Sequence, residues 1–387
     1  MTYDVVIIGG GLAGLTCALS TLQKGKRCAV IAGESSMLSF SSGSLDLLNA
    51  LPDGTPASEP LKAIDTLKQQ SETHPYTKIG VKSFIEKAAQ AEMMLNELGC
   101  KMQGSSLKNH YRTTPVGLAK PAWLSFDGML ATETPDKLPF NSVQIFYPMG
   151  FLDFYPRFIA EEWIKKGVQV ETVPFFMSKI TRIQRIARII NKNNNAEAAA
   201  VPACIEQFDK LRELVNRPVY MLATMPPSAL GLNLEKILRR KIIELGGDIF
   251  TEDKAVKAEW EGNKIKTVYS QKMGNIPFRG EKIVLATGGF AGRGLKATRT
   301  GIVEPLFNLD IEQDDNRENR VNTQVLQKQP YMYFGIKTDN SFRAVKNGNV
   351  TDNLYVAGAG LEGFNPAEEG CGAGVSVLTG LYVGEMF

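Results

Sequence analysis

Histidine and cysteine are scarce in this chain: two histidines, His74 and His110, and five cysteines in 387 residues. The cysteines (Cys17, Cys28, Cys100, Cys204 and Cys371) are scattered, odd in number and never paired as Cys-x-x-Cys. No zinc or iron–sulfur ligand set of recognisable spacing exists, so no metal is expected. The thiols read as small buried hydrophobes of a reduced, cytosolic protein. A basic excess is missing too. Lysine and arginine number 44 against 41 acidic residues, for a net charge of +3, whereas phosphate-tracking surfaces need a clear surplus of cations. Nucleic acid is therefore not an expected partner, while a local basic site for a small phosphorylated substrate stays open. No apolar run is long enough to span a bilayer. Tyr3–Ile8 has neither the positive n-region nor the cleavage site of a signal peptide and reads as a strand. Membrane attachment is expected only through a partner or a surface patch.

What is present is glycine at patterned positions. Residues 4–8 are apolar after Asp4 and β-branched at four of five positions, as befits a strand buried on both faces of a parallel sheet. Gly9-Gly10-Gly11-Leu12-Ala13-Gly14 follows, then a helical pattern over Thr16–Lys24 and a second strand over Lys26–Ile31. In a strand, Gly-x-Gly-x-x-Gly, helix, strand unit each glycine has a task. Gly9 makes the tight turn, Gly11 lets a pyrophosphate approach the backbone, and Gly14 lets helix pack on strand. The amide hydrogens at the helix start then meet the phosphate. One expected residue is absent. The acidic side chain that ends the second strand and holds the adenosine ribose is replaced by Ala32-Gly33, with Glu34 two places late. Either Glu34 reaches the ribose from a shifted turn, or no adenosine is bound and the cofactor is FMN rather than FAD. The second reading needs no repair of the strand register and is preferred, with FAD as the alternative.

Five separated segments carry a resemblance. They are Val6–Leu15; Ser39-Phe40-Ser41-Ser42-Gly43-Ser44-Leu45-Asp46-Leu47-Leu48; Thr224-Met225-Pro226-Pro227-Ser228-Ala229-Leu230-Gly231; Ala286-Thr287-Gly288-Gly289-Phe290 with Arg299–Pro305; and Glu369-Gly370-Cys371-Gly372-Ala373-Gly374-Val375. Together they resemble the two-domain flavoproteins related to fumarate reductase flavoprotein subunits, and within them the family of anaerobic glycerol-3-phosphate dehydrogenase B subunits. The first and fourth segments are common to many flavoproteins; the second and third are far more particular. The resemblance implies an α/β fold, a Rossmann-type flavin-binding domain with an inserted mixed α/β cap domain. It also implies membership of a quinone-linked complex that oxidises glycerol 3-phosphate to dihydroxyacetone phosphate and supplies fumarate or nitrate respiration. A catalytic A subunit and an iron–sulfur, membrane-anchoring C subunit would be its partners, and this chain a cytoplasmic flavoprotein held at the inner membrane through them. Relatives continue past Met386-Phe387, which here falls within an expected amphipathic helix, so a truncated chain is expected.

Physically, Lys282–Ala286 reads as a buried strand running into Gly288-Gly289, where the chain crosses near the cofactor. Asn353–Gly358 is the late strand that approaches the ribityl chain. The Gly370–Gly374 stretch opens the last helix, whose first amides suit the negative N1–C2=O2 edge of a reduced flavin. Cofactor contacts are expected from Gly9, Gly11, Gly14, Ser41, Ser42, Gly43, Gly288, Gly289, Gly358, Gly370 and Gly372.

The middle of the chain is less legible. Pro52–Pro60 reads as a linker, and Val81–Leu98 as a helix with Phe84, Ala88, Ala91, Leu95 and Leu98 on one face. Residues 105–140 read as irregular strands or loops. Val143–Phe146, Val168–Val173 and Val219–Ala223 read as strands, Phe154–Lys166 and Leu234–Leu245 as helices. Ile180–Lys192 aligns Arg182, Arg185, Arg188 and Lys192 on one flank, a solvated basic face rather than a docking helix. The expected division is residues 1–50 plus 235–387 for the flavin domain, and 51–234 for the insert. Oxidising a secondary alcohol needs a base and a phosphate-holding cation. No base is evident, since neither histidine has a carboxylate motif around it. Arg299, then Arg293 and Arg343, are the candidate cations.

Overall fold

The computed structural model describes residues 1–33, 36–177 and 182–387, which fall into two compact units. The first comprises Met1–Met37, Asp46–Gly99 and Glu235–Phe387, the second Leu38–Leu45 and Cys100–Leu234. The division departs from the sequence reading in two stretches. Residues 38–45, expected in the flavin domain, belong with the second unit, and residues 51–99, expected in the insert, belong with the glycine-rich unit. The cause is visible in the helix Val81–Glu97, which buries Phe84, Ala88, Ala91 and Leu95. On that same side Lys87 and Gln90 both grip Glu385 of the last helix, the latter at 2.6 Å. Just before it, the Tyr76 hydroxyl donates to the Leu47 carbonyl at 2.7 Å.

The first unit is built on a six-stranded sheet in the order Asp248–Phe250, Cys28–Ile31, Thr2–Ile8, Arg279–Leu285, Asn349–Val356, Arg343–Lys346. All neighbours run parallel except the last pair. Val5–Ile8, Cys28–Ile31 and Ile283–Leu285 are buried throughout, the signature of strands covered on both faces. Helix Leu12–Gln23 is buried from Leu12 to Leu22 and lies against the last helix, Gly372–Glu385. Small residues permit that approach. A β-carbon on Gly380 would overlap Thr16 and the Ala13 carbonyl, and one on Gly384 the Cys17 carbonyl and Ser20. The last helix is therefore not the amphipathic element expected: it is buried nearly all round, with Val375, Val377, Leu378, Leu381 and Val383 inside.

The second unit has a four-stranded all-parallel sheet ordered Gln169–Phe175, Ser142–Pro148, Ala198–Pro202, Val219–Leu222. Its core gathers Leu130, Phe140, Val143, Ile145, Phe154, Ile159, Trp163 and Leu222. Ala198–Pro202 is a strand the sequence hides, because an alanine run carries no β-propensity signal; only its pairing on both sides makes it one. Residues 105–140, expected to be irregular, contribute short strands to two three-stranded antiparallel sheets. The basic flank lies on helix Ile183–Lys192, where Ile183, Ile186 and Ile190 face inward and Arg182, Arg185, Arg188 and Lys192 lie on the outer side; residues 180 and 181 fall outside the described residues. Helix Ala229–Glu244 starts earlier than the expected Leu234.

Candidate functional site

The first strand ends in the glycine turn. Gly9 has φ +124°, and a β-carbon there would overlap the Ala286 carbonyl, so the turn passes directly over the neighbouring strand. Its N–H donates to Ile31 at 2.9 Å, while Ala286 N–H donates to Ile8 at 2.8 Å. Gly14 lies where any side chain would strike the Gly9 carbonyl, which closes helix onto strand. Gly11 differs from both: among the described residues, nothing lies within 4 Å of where its β-carbon would be. Helix Leu12–Gln23 begins at Gly11 with no side-chain cap and no acidic residue in its first turn, leaving first-turn amides that need an acceptor. Open space beside Gly11 next to unsatisfied donors fits a phosphate group.

At the end of the second strand, Ala32 is fully buried. Its N–H donates to Phe250 and its carbonyl accepts from Asp253, both at 2.9 Å. Glu34, the late acidic residue, lies outside the described residues. The space beside Gly10 is shared by the Ala32 methyl and a guanidinium nitrogen of Arg239, the latter 3.2 Å from the position of a β-carbon on Gly10. Arg239 pairs with Glu235 at 2.7 Å on the same helix, and its Nε is buried without a partner. Nothing in the sequence singled out Arg239, because an i,i+4 Glu–Arg pair is ordinary on any helix surface.

Gly288, Gly289 and Gly358 come together. Gly288 and Gly358 have positive φ, a β-carbon on Gly289 would overlap the Ala359 carbonyl, and one on Gly358 would meet the Ala13 methyl. Gly358 N–H donates to Thr379 Oγ1 of the last helix at 2.9 Å. Gly358 thus sits against the helix that starts at Gly11. Gly370 (φ +53°) leads into the last helix beside Asn49. Here the expectation needs correcting. Ala373 N–H donates to Asp46 Oδ1 at 2.9 Å and Gly374 N–H to the Asp46 carbonyl at 2.7 Å. Two of the amides read as facing a flavin are already capped by Asp46, from the particular Ser-Leu-Asp segment. Gly372 precedes them, packed near Pro366.

Ser41, Ser42 and Gly43 belong to the second unit. Gly43 has φ +83° and lies against Leu230 and Met129, and Ser41 Oγ donates to the Ser44 carbonyl at 3.3 Å. Ser228 N–H donates to the Ser39 carbonyl at 2.7 Å, and a β-carbon on Gly231 would overlap the Leu38 carbonyl. The two most particular segments of the sequence therefore fold against each other.

Of the candidate cations, Arg299 is exposed in the turn joining Lys296–Ala297 to Ile302–Val303, and Arg293 is exposed with φ +62°. Neither makes an ion pair among the described residues. Arg343 is committed: its guanidinium holds Asp339 at 2.9 Å.

Both histidines are engaged. His110 Nε2 lies 2.7 Å from Ser125 Oγ, and burial with the nearby Arg112 charge lowers its pKa to about 4. His74, fully buried, accepts from Tyr76 N–H through Nδ1 at 3.0 Å, and its Nε2 is 3.1 Å from Glu369 Oε2. That contact departs from good hydrogen-bond direction. Cys371 is close by, and the three side chains could suggest a metal site. The ring argues otherwise. A ring nitrogen that accepts an amide hydrogen leaves the ring proton on Nε2, so no lone pair faces Glu369 and Cys371. The cluster is a histidine–carboxylate contact. Burial raises the Cys371 thiol well above its ordinary pKa.

Residues 4–375 match the FAD binding domain family. Curated relatives named as the B subunit of anaerobic glycerol-3-phosphate dehydrogenase are 39% identical in Yersinia enterocolitica and 37% in Pectobacterium carotovorum, each over 100% of this chain and 98% of the relative. Among solved structures, the FrdA chain of E. coli quinol fumarate reductase aligns over 100% of this chain and 70% of its own, at 10% identity and a TM-score of 0.44.

Proposed function

Because the chain belongs to the family of anaerobic glycerol-3-phosphate dehydrogenase B subunits, within the FAD binding domain family, we propose that it is the relay flavoprotein of a quinone-linked complex. The complex oxidises sn-glycerol 3-phosphate to dihydroxyacetone phosphate, with fumarate or nitrate as terminal acceptor. A catalytic A subunit takes the substrate, and an iron–sulfur C subunit anchors the assembly at the inner membrane. The relay flavoprotein is cytoplasmic and peripheral; no described helix is long and apolar enough to cross a membrane.

One observation carries the flavin reading: the open space at Gly11 beside uncapped helix amides. Flavin, when bound, supplies the two-electron chemistry. The chain's own groups bind and orient it. The Gly9–Gly14 loop takes the phosphate end, and Gly288, Gly289, Gly358, Gly370 and Gly372 give the backbone close approach to the ribityl chain and ring. FMN is the proposed form, supported by the buried alanine where a ribose-binding carboxylate would stand; FAD is the alternative.

The relay role, rather than turnover, is supported by the side chains that could move a proton. His74 is fully buried against Glu369, and His110 is held by Ser125. If the chain instead worked alone on its own small substrate, Arg299 and Arg293 would be the cations to hold a phosphate.

The test is to purify the chain with its cofactor, release the flavin by denaturation and identify it, then assay glycerol 3-phosphate oxidation with and without the A and C subunits. FMN release, no turnover alone and turnover in the assembled complex are expected. Turnover by the isolated chain would replace the relay reading with a self-sufficient oxidoreductase. Colourless protein that takes up neither flavin would leave a purely structural component.

A further inference from the structure

The end of the second strand lacks the expected carboxylate, yet the place beside it is not bare. Glu235 and Arg239 are one turn apart on helix Ala229–Glu244, with side chains only 14% and 21% exposed. Neighbouring Leu234 and Leu238 are fully buried, which sets that helix face against the interior. The guanidinium therefore has little freedom. Glu235 takes one terminal nitrogen at 2.7 Å, and that nitrogen lies 3.2 Å from where Gly10 would carry a side chain. The Nε–H is buried and has no acceptor.

The uncapped amides at the start of helix Leu12–Gln23 and the Arg239 guanidinium, which keeps a buried Nε–H without an acceptor, thus border the same Gly9–Gly11 loop. An acceptor for both would offer several oxygens and negative charge, which suits cationic and amide donors together. A neutral sugar hydroxyl supplies too few acceptors. We propose that Arg239 is a phosphate-binding residue of the flavin site, aimed by Glu235 and completing the ring of donors around the Gly9–Gly11 loop. This rests on the flavin reading above. The ligand chemistry is a flavin phosphate, either the terminal monoester of FMN or the diphosphate of FAD. A planar guanidinium suits both, since it offers two parallel N–H donors to two oxygens.

The test is equilibrium binding to the full chain prepared free of flavin, read by quenching of flavin fluorescence. Riboflavin, FMN and FAD are compared on the wild type and on Arg239→Gln, Arg239→Lys and Glu235→Gln. Loss of a charge-assisted contact predicts roughly tenfold to hundredfold weaker binding of a phosphorylated flavin to Arg239→Gln, with riboflavin unmoved. Arg239→Lys should recover part of it, and Glu235→Gln should lose less than Arg239→Gln. Weakening of FMN alone identifies the monoester as ligand; weakening of FAD identifies the diphosphate. Unchanged affinity for both, or an equal loss for riboflavin, overturns the assignment. If Arg239→Gln fails to fold, the same comparison between Arg239→Lys and wild type decides. A wild-type chain that binds none of the three flavins sinks the flavin reading itself, a different result from wild-type binding that ignores Arg239.

Discussion

Replacing His74 by alanine tests whether the buried histidine–carboxylate contact holds the turn into the last helix. His74 and Glu369 are both fully buried. The histidine accepts Tyr76 N–H through Nδ1 and presents Nε2 to Glu369. Glu369 in turn accepts Asn365 N–H at 2.7 Å, and its carbonyl accepts Asn49 N–H at 2.7 Å. The pair therefore pins residues 365–370 to residues 49 and 76. His74→Ala removes a donor from a buried carboxylate and an acceptor from a buried amide. Stranding one partner of a buried charged contact costs about 3–5 kcal/mol, and an orphaned amide about 1–3 kcal/mol. The off-line approach of Nε2 to Oε2 puts the first figure at its lower end. Together they predict a loss of about 4 kcal/mol, a large share of the ~5–15 kcal/mol that holds a typical fold.

Urea denaturation measures it, through a lower midpoint at unchanged slope. His74→Gln is the control, because its amide oxygen can accept from Tyr76 while its NH2 donates to Glu369; it should recover half or more of the loss. Glu369→Gln is the sharper probe. The carboxylate faces one donor on each side, Asn365 N–H and His74 Nε2–H. An amide offers one oxygen and one NH2, so a donor would face a donor, and the isosteric change should cost more than its size suggests. A His74→Ala loss under about 1 kcal/mol, or equal losses for Ala and Gln, would refute the assigned hydrogen-bond roles.

Gly11→Ala and Gly14→Ala should separate ligand space from packing space. The first leaves the fold intact but weakens flavin by about tenfold or more, since its methyl enters the place a phosphate would take; the second costs about 1–3 kcal/mol or more of stability, because its methyl strikes the Gly9 carbonyl. Titration with flavin and urea midpoints check the two. Asp46→Ala removes the cap on Ala373 N–H and should cost about 1 kcal/mol in thermal unfolding, while Asp46→Asn, which keeps an acceptor oxygen, should cost much less. His110 carries a pKa lowered to about 4 by burial and by Arg112. The unfolded chain therefore takes up its proton first, and stability is lost as pH falls from about 6.5 toward 4, by about 2 kcal/mol at pH 5. Urea midpoints at pH 7 and pH 5 should show that part of the slope vanish in His110→Gln; an identical slope would sink the argument.

The fold was legible where one physical demand dominates the sequence. Val5–Ile8 must be buried on both faces, and Gly9 and Gly14 must be small, so pattern and structure agree to within a few residues. Legibility fails where pairing decides. Ala198–Pro202 is a strand only because it is paired on both sides, and no local preference of alanine announces that. The last helix misled for a similar reason. It was expected to be amphipathic, but Gly380 and Gly384 let a second helix come within touching distance, and the result is burial on nearly every side.

The site was half legible, and the missing half follows a rule. Glycine motifs record where backbone must pass close to something, but not whether that something is ligand or protein. Gly9 and Gly14 answer to other backbone, as does Gly289, while Gly380 answers to the Thr16 side chain and the Ala13 carbonyl. Among the amides at Ala373 and Gly374, expected to face the cofactor, the acceptor is Asp46. Gly11 alone among the glycines of the first turn faces open space. The side chain that best complements that space, Arg239, comes from a helix more than two hundred residues later in the sequence, paired in a way common on any helix. A ligand site made of one open glycine and one distant arginine leaves no sequence motif beyond the glycines themselves. The motif therefore locates the loop, and only geometry shows which of its atoms are left for the flavin.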